Sequence, residues 1–150
     1  MSEATTETQT GGLGKGPMIA AWVAQAIVVG VFLMLGPIPK LTSDPISVAL
    51  FEKIGPGDPL RYATGVFEAI AIVLILIPKT AWAGAALSAG LMVGAIGAHL
   101  VTPLGVSVSL EVEGGDIGPV PFALAVLTLL ASLAVLAIRR KQIPVIGDKL

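Results

Sequence analysis

The 150-residue chain holds 55% hydrophobic and only 13% charged residues, with a formal net charge of −1 and a strongly positive mean hydropathy. Soluble domains carry about 25% charged residues, so the composition excludes an ordinary water-soluble globule, and the balanced charge gives no footprint for nucleic acid. With no cysteine and a single histidine, His99, this chain has no thiol redox chemistry, no disulfide or thiolate-held metal and no bis-histidine haem of its own.

Residues 1–16 are rich in Thr, Glu, Gln and Gly and read as a disordered tail. The apolar run from Met18 to Leu35 is too long, and its flank too acidic, for a secretory signal. It predicts a first span over 18–36. Asp58-Pro59 is a helix-start signal, a capping residue followed by proline at the first helical position, and opens a second span over 59–78 that Pro78 closes. After a very short turn, Thr80 caps a third span over 81–102. A fourth covers 120–138. Each is close to the ~20 residues that ~30 Å of hydrocarbon demands. The expected fold is therefore an all-α membrane protein, a four-transmembrane-helix bundle occupying residues 17–139, with a basic tail over 140–150.

Two connections carry structure of their own. Asp44-Pro45 repeats the start signal and leads through Ile46, Leu50, Phe51 and Ile54 to Gly55-Pro56, which predicts a helix of about ten residues, too short to span and suited to lying at the interface. Between the third and fourth spans, Val106, Val108, Leu110 and Val112 alternate with Ser107, Ser109, Glu111 and Glu113. That is strand periodicity. A lone strand must pair with the loop itself, another protomer or a partner.

Six Lys and Arg residues (Lys15, Lys79, Arg139, Arg140, Lys141 and Lys149) fall on the side of the two tails, and three (Lys40, Lys53 and Arg61) on the other. The positive-inside rule then places both tails in the cytoplasm, an N-in, C-in protein of a bacterial inner membrane.

Polar side chains inside the spans stand out, because the helices already satisfy their backbones. Ser88 belongs with Gly84, Gly90, Gly94, Gly97 and Ala98 on a small-residue surface suited to close packing. Glu68 lies nine residues from Pro59, about 14 Å deep at ~1.5 Å per residue. An ionised carboxylate there costs at least ~2.5–3.5 kcal/mol, so it must face the interior and be protonated or paired. Gln25, about 10 Å in, reaches a comparable depth. Arg61 stands two turns before Glu68 on the same face, and Lys40 can dip in from the loop. His99 lies near the outer end of the third span, some eight residues of rise above Glu68, which argues for a water-linked pair and against a direct hydrogen bond.

The order of these marks resembles the DoxX-like family of small four-helix membrane proteins. They are Gly36-Pro-Ile-Pro-Lys40-Leu41, the short helix ending near Phe51-Glu-Lys-Ile-Gly55, then Arg61-Tyr-Ala-Thr-Gly65-Val-Phe-Glu68, and a glycine-rich span ending in His99-Leu100. The resemblance implies a bundle whose polar centre is lined by Lys40, Glu68 and His99. The family takes its name from a subunit of a thiosulfate:quinone oxidoreductase. The expected function is thus a quinone- or redox-associated accessory subunit. In it Glu68 exchanges a proton while His99 and Lys40 orient a carbonyl oxygen, and the quinone is bound non-covalently. Gln25 and Arg61 are further candidates for ligand binding or proton relay. An assembly factor or scaffold within a larger membrane complex is the alternative, with other membrane subunits or a second copy as partners. A small-solute carrier ranks last, since four spans without an inverted repeat or broken helix suit alternating access poorly. The residues leave open whether the chain is an enzyme.

Overall fold

A computed structural model describes residues 13–144. Residues 1–12 and 145–150, which make up most of the expected N-terminal tail and the end of the basic C-terminal one, lie outside it. In chain order the elements are α1 (Lys15–Leu35), α2 (Pro37–Leu41), α3 (Pro45–Ile54), α4 (Asp58–Leu76), α5 (Ala81–Val101), β1 (Val108–Ser109), β2 (Asp116–Gly118), α6 (Val120–Ile138) and a closing 3₁₀ turn (Arg140–Gln142).

Four helical segments are long and apolar enough to cross a membrane: Lys15–Leu41, Asp58–Leu76, Ala81–Val101 and Val120–Ile138. Their outward faces carry exposed Ile19, Val23, Val73, Val93, Leu130 and Leu133, while Ala24, Val28, Phe32, Ala71, Ile75, Ala85 and Val135 form the buried core. Apolar side chains on the outside of every long helix require lipid there. The chain is an integral membrane protein.

The helices run antiparallel in sequence order. One end of the bundle, here the base, holds the start of α1, the α4–α5 turn and the end of α6. The other end, the crown, holds α2, α3 and the hairpin. Close approach near the base is set by Gly84, where a Cβ would stand 2.5 Å from the Ile75 amide nitrogen and 2.9 Å from the Ala71 carbonyl oxygen, so only glycine lets α5 lie this near α4. Four residues on, Ser88 accepts a 2.8 Å hydrogen bond from Ser132, tying α5 to α6. The rest of the expected small-residue surface behaves differently. Cβ atoms on Gly90, Gly94 or Gly97 would meet nothing within 4 Å. Gly90 is two residues from Ser88, which at 100° per residue puts it on the opposite side of the helix.

The chain breaks between α1 and α2 at Gly36. A side chain there would collide with the Phe32 carbonyl, and Pro37 starts α2 where a missing N–H costs nothing. The sequence signals did not predict α2, because Pro-Ile-Pro reads as a helix breaker. Both prolines instead sit in the first turn, where they are tolerated.

Asp44 caps α3 as its sequence predicts, accepting from the Ser47 amide at 3.1 Å. Two other helix starts differ. Gly57, not Asp58, is the N-cap of α4, which frees the Asp58 carboxylate to accept from Arg61. Thr80 precedes α5 without a side-chain cap, its hydroxyl donating back to the carbonyl of Leu74 at 2.9 Å and so closing the end of α4 instead.

The alternating segment finds its partner within its own loop. β1 pairs antiparallel with β2, matching Val108 to Gly118 and Ser109 to Asp116. The ladder is shorter than the alternation, yet the alternation has a purpose. Leu104, Val108 and Leu110 are buried against Ile46, Ala49, Leu50 and Ile54 of α3, while Ser107 and Ser109 face outward. The Lys53 ammonium pins the arrangement by donating to the Ser109 carbonyl at 2.7 Å.

Candidate functional site

Beneath α3 and the hairpin lies a cavity of about 470 Å³, within the size range of small-molecule sites. Its walls are largely apolar, with Phe32, Phe51, Met92, Leu104 and Leu124 among them. Six polar side chains reach it: Lys40, Asp44, Ser47, Thr64, Glu68 and His99. The lining also includes Met34 and Val120, themselves 72% and 54% exposed on the lipid-facing surface. The cavity therefore reaches the outer surface of the bundle where these side chains of α1 and α6 stand.

The break at Gly36 brings Lys40 inward. Its ammonium donates to the carbonyls of Leu35 at 2.7 Å and Gly36 at 3.4 Å, so it neutralises the C-terminal end of α1. It also straddles the Glu68 carboxylate. The approach to Oε1, at 3.1 Å, is aligned for a hydrogen bond. The approach to Oε2, at 2.9 Å, is an ionic contact off the hydrogen-bonding direction, and Oε2 has no hydrogen-bond partner among the described residues. Glu68 is only 5% exposed. An ammonium this close to both oxygens pairs with the group and offsets the cost of its burial.

Gly65, one turn before Glu68, explains how α2 comes so close. A Cβ there would stand 3.1 Å from the Lys40 Cβ and 3.3 Å from the Leu41 side chain. The Gly65-x-x-Glu68 pairing therefore has a mechanical content: the glycine admits α2, and α2 delivers the lysine to the glutamate.

His99 occupies the other wall, near the end of α5. Its Nδ1 lies 2.6 Å from the Gly105 carbonyl oxygen, which can only accept, so Nδ1 carries the proton. In the neutral ring, Nε2 is then a bare acceptor. Phe122 of α6 meets the imidazole edge-on, with ring centroids 5.6 Å apart. No direct hydrogen bond joins His99 to Glu68; the two face one cavity.

The structure gathers Lys40, Glu68 and His99 at the cavity and places the other two candidates elsewhere. Arg61 is buried behind α2. Its guanidinium donates to Asp58 Oδ1 at 2.7 and 3.0 Å, to Ser43 Oγ at 3.2 Å and to the Lys40 carbonyl, and stacks over the Tyr62 ring. It supports the backbone that presents Lys40 and does not reach Glu68. Gln25 of α1 lies at the base, level with Ile75, which is seven residues along α4 from Glu68. Its amide donates to the Ile75 carbonyl, and its oxygen accepts from Arg139 at 2.8 and 3.0 Å.

Arg139 and Asp44 were not singled out from sequence. Arg139, the last residue of the expected bundle, enters the sequence reading only in the count of basic residues, yet it is buried. The signal for it lay in Gln25, whose carbonyl oxygen in an apolar span needs a donor that the basic end of the fourth span can supply. Asp44 reads as a helix cap, and it lines the cavity. Among the described residues, no three acidic or imidazole side chains come together to hold a metal ion.

The family model of the DoxX-like family matches residues 23–112, more than half of the chain. The chain belongs to the DoxX-like family. The match runs from α1 to the first part of the hairpin loop and includes Lys40, Glu68 and His99, so all three polar walls of the cavity lie in the part shared with other DoxX-like proteins. No curated protein and no solved structure matches the chain.

Proposed function

We propose that this DoxX-like protein is a ligand-binding accessory subunit whose crown cavity takes up a lipophilic, quinone-class molecule from the bilayer, a partner supplying any redox centre. One observation carries the reading. An apolar cavity of drug-like size, open toward lipid, holds a buried charged pair and a histidine on facing walls. A pair kept only for stability gains nothing from standing at a cavity, since burying ions costs about as much as their attraction returns. The excess of Lys and Arg at the base orients that end toward the cytoplasm, and the cavity then lies in the half of the bilayer away from it, in a bacterial inner membrane.

The test is purification in mild detergent at native abundance, followed by mass spectrometry of the accompanying lipids and proteins. A stoichiometric apolar ligand that is lost in Glu68→Gln supports the reading. A fixed protein partner with no ligand overturns it in favour of a scaffold. One feature favours that second reading: the outward face of α5 at Gly90 is free of side chains and uncovered, as helix–helix contacts in membranes require. The hairpin does not favour it, because its strands already pair with each other.

A further inference from the structure

The hydrogen-bonding capacity left over at the cavity is one-sided. The Lys40 ammonium has three N–H groups and three acceptors, namely the Leu35 and Gly36 carbonyls and Glu68. The Thr64 hydroxyl donates back to its own helix, at 2.9 Å from the Leu60 carbonyl and 3.0 Å from that of Arg61. The imidazole proton is on Nδ1 and engaged by Gly105. What remains is Glu68 Oε2, buried, 2.9 Å from the ammonium and without a hydrogen-bond partner, and His99 Nε2. With Glu68 as the anion of the Lys40 ion pair, both are acceptors. Only the Ser47 hydroxyl can act either way.

We propose that the ligand of this cavity presents a hydrogen-bond donor, a hydroxyl on a lipophilic body, to Glu68 and His99, and that carbonyl-only compounds of the same shape are discriminated against. The inference rests on the ligand-binding reading above and narrows its quinone-class ligand to the reduced, hydroxyl-bearing members. A quinone brings acceptors alone and would set its oxygens against Oε2 and Nε2. Its reduced, dihydroxy form, or any phenol or lipophilic alcohol, brings the missing donors. Buried unpaired groups are what give polar sites their selectivity, because a molecule that fills the space without satisfying them leaves the whole desolvation penalty in place. In this arrangement Lys40, its N–H groups taken up by the Leu35 and Gly36 carbonyls and by Glu68, does not itself grip the ligand.

A matched pair of probes separates donor from shape: 4-nonylphenol and its methyl ether, 4-nonylanisole. Each is titrated calorimetrically into the full-length protein in lipid nanodiscs, with empty nanodiscs as the partition blank. The expected result is binding of the phenol at least about tenfold tighter than the ether. His99→Phe, which keeps an aromatic ring against Phe122, should shrink that ratio by weakening the phenol, and Glu68→Gln, which keeps the shape and brings a donor, should shrink it further by also admitting the ether oxygen. Equal affinities, or tighter binding of the ether, overturn the donor inference and leave the ligand cavity standing. A phenol preference that survives both substitutions also overturns it, by placing the acceptor elsewhere. If neither probe binds above the blank, both the inference and the ligand-binding reading fall.

Discussion

The base and the crown solve the same problem in opposite ways. Each buries an arginine or lysine with a polar partner inside an apolar bundle. At the base, Arg139 donates to Gln25, reaches the Pro78 carbonyl at 3.4 Å and lies 5.9 Å from the Trp22 ring centroid, while Gln25 also donates to Ile75. Donors and acceptors there are matched, and the helices are in contact around them. At the crown, Lys40 is saturated but Glu68 keeps an unbonded oxygen beside an open volume. A polar cluster with nothing left over is a fastening. One with acceptors to spare is equipped to receive something, and the difference shows in which valences are unfilled rather than in how deeply the groups are buried.

The sharpest way to break this contrast is at the crown pair. Lys40→Ala leaves Glu68 buried without its cation and should destabilise the protein by about 3–5 kcal/mol, read as a loss of thermal stability in detergent. Adding Glu68→Gln to that variant should restore most of the loss, and a double variant no more stable than the single would show that the pair is not coupled. At the base, Arg139→Ala removes the donors to Gln25 and should cost about 1.5–3 kcal/mol, with no change in phenol or ether affinity. A change in ligand binding would mean that the two ends are not independent.

Gly65→Val sharpens the comparison at the joint between α2 and α4. Overpacking against Lys40 and Leu41 should cost about 1–3 kcal/mol and move the ammonium from Glu68, so the ligand preference of the crown should weaken with it. Smallest of all, Gly90→Ala has open space and should change stability by no more than about 0.5 kcal/mol. A large loss on crosslinking or sedimentation, with dimers dissolved by the substitution, would instead reveal a covered α5 face.

Much of the bundle was legible because lipid makes hydropathy nearly decisive. The fourth span matches its expected 120–138 limits, the other three agree within a few residues, and Asp44-Pro45 starts α3 where it should. Glu68 was equally conspicuous as the one carboxylate in a span. Its partner was harder to fix, since Lys40 reaches it only through the Gly36 break and the two prolines of α2. Those produce a tertiary direction that no local propensity encodes. The glycines of α5 misled for a related reason. Composition marks them all as small, but only their angular position around the helix separates Gly84, which is pressed against α4, from Gly90 and Gly94, which are not. Arg139 was hidden because the sequence marks it only as one of three consecutive basic residues at the inner end of the fourth span, and a charge count does not separate the buried one from the other two.

The exposure of Met34 and Val120 at the edge of the cavity has a pharmacological consequence. With α3 and the hairpin roofing the cavity, a molecule entering past those side chains comes out of the hydrocarbon phase, not out of water. Its occupancy is then governed by mole fraction in the membrane, so the apparent potency of any blocker should fall as more lipid is added at constant total dose. Lengthening an alkyl tail would raise potency through partitioning alone, up to the point where the chain no longer passes Met34 and Val120.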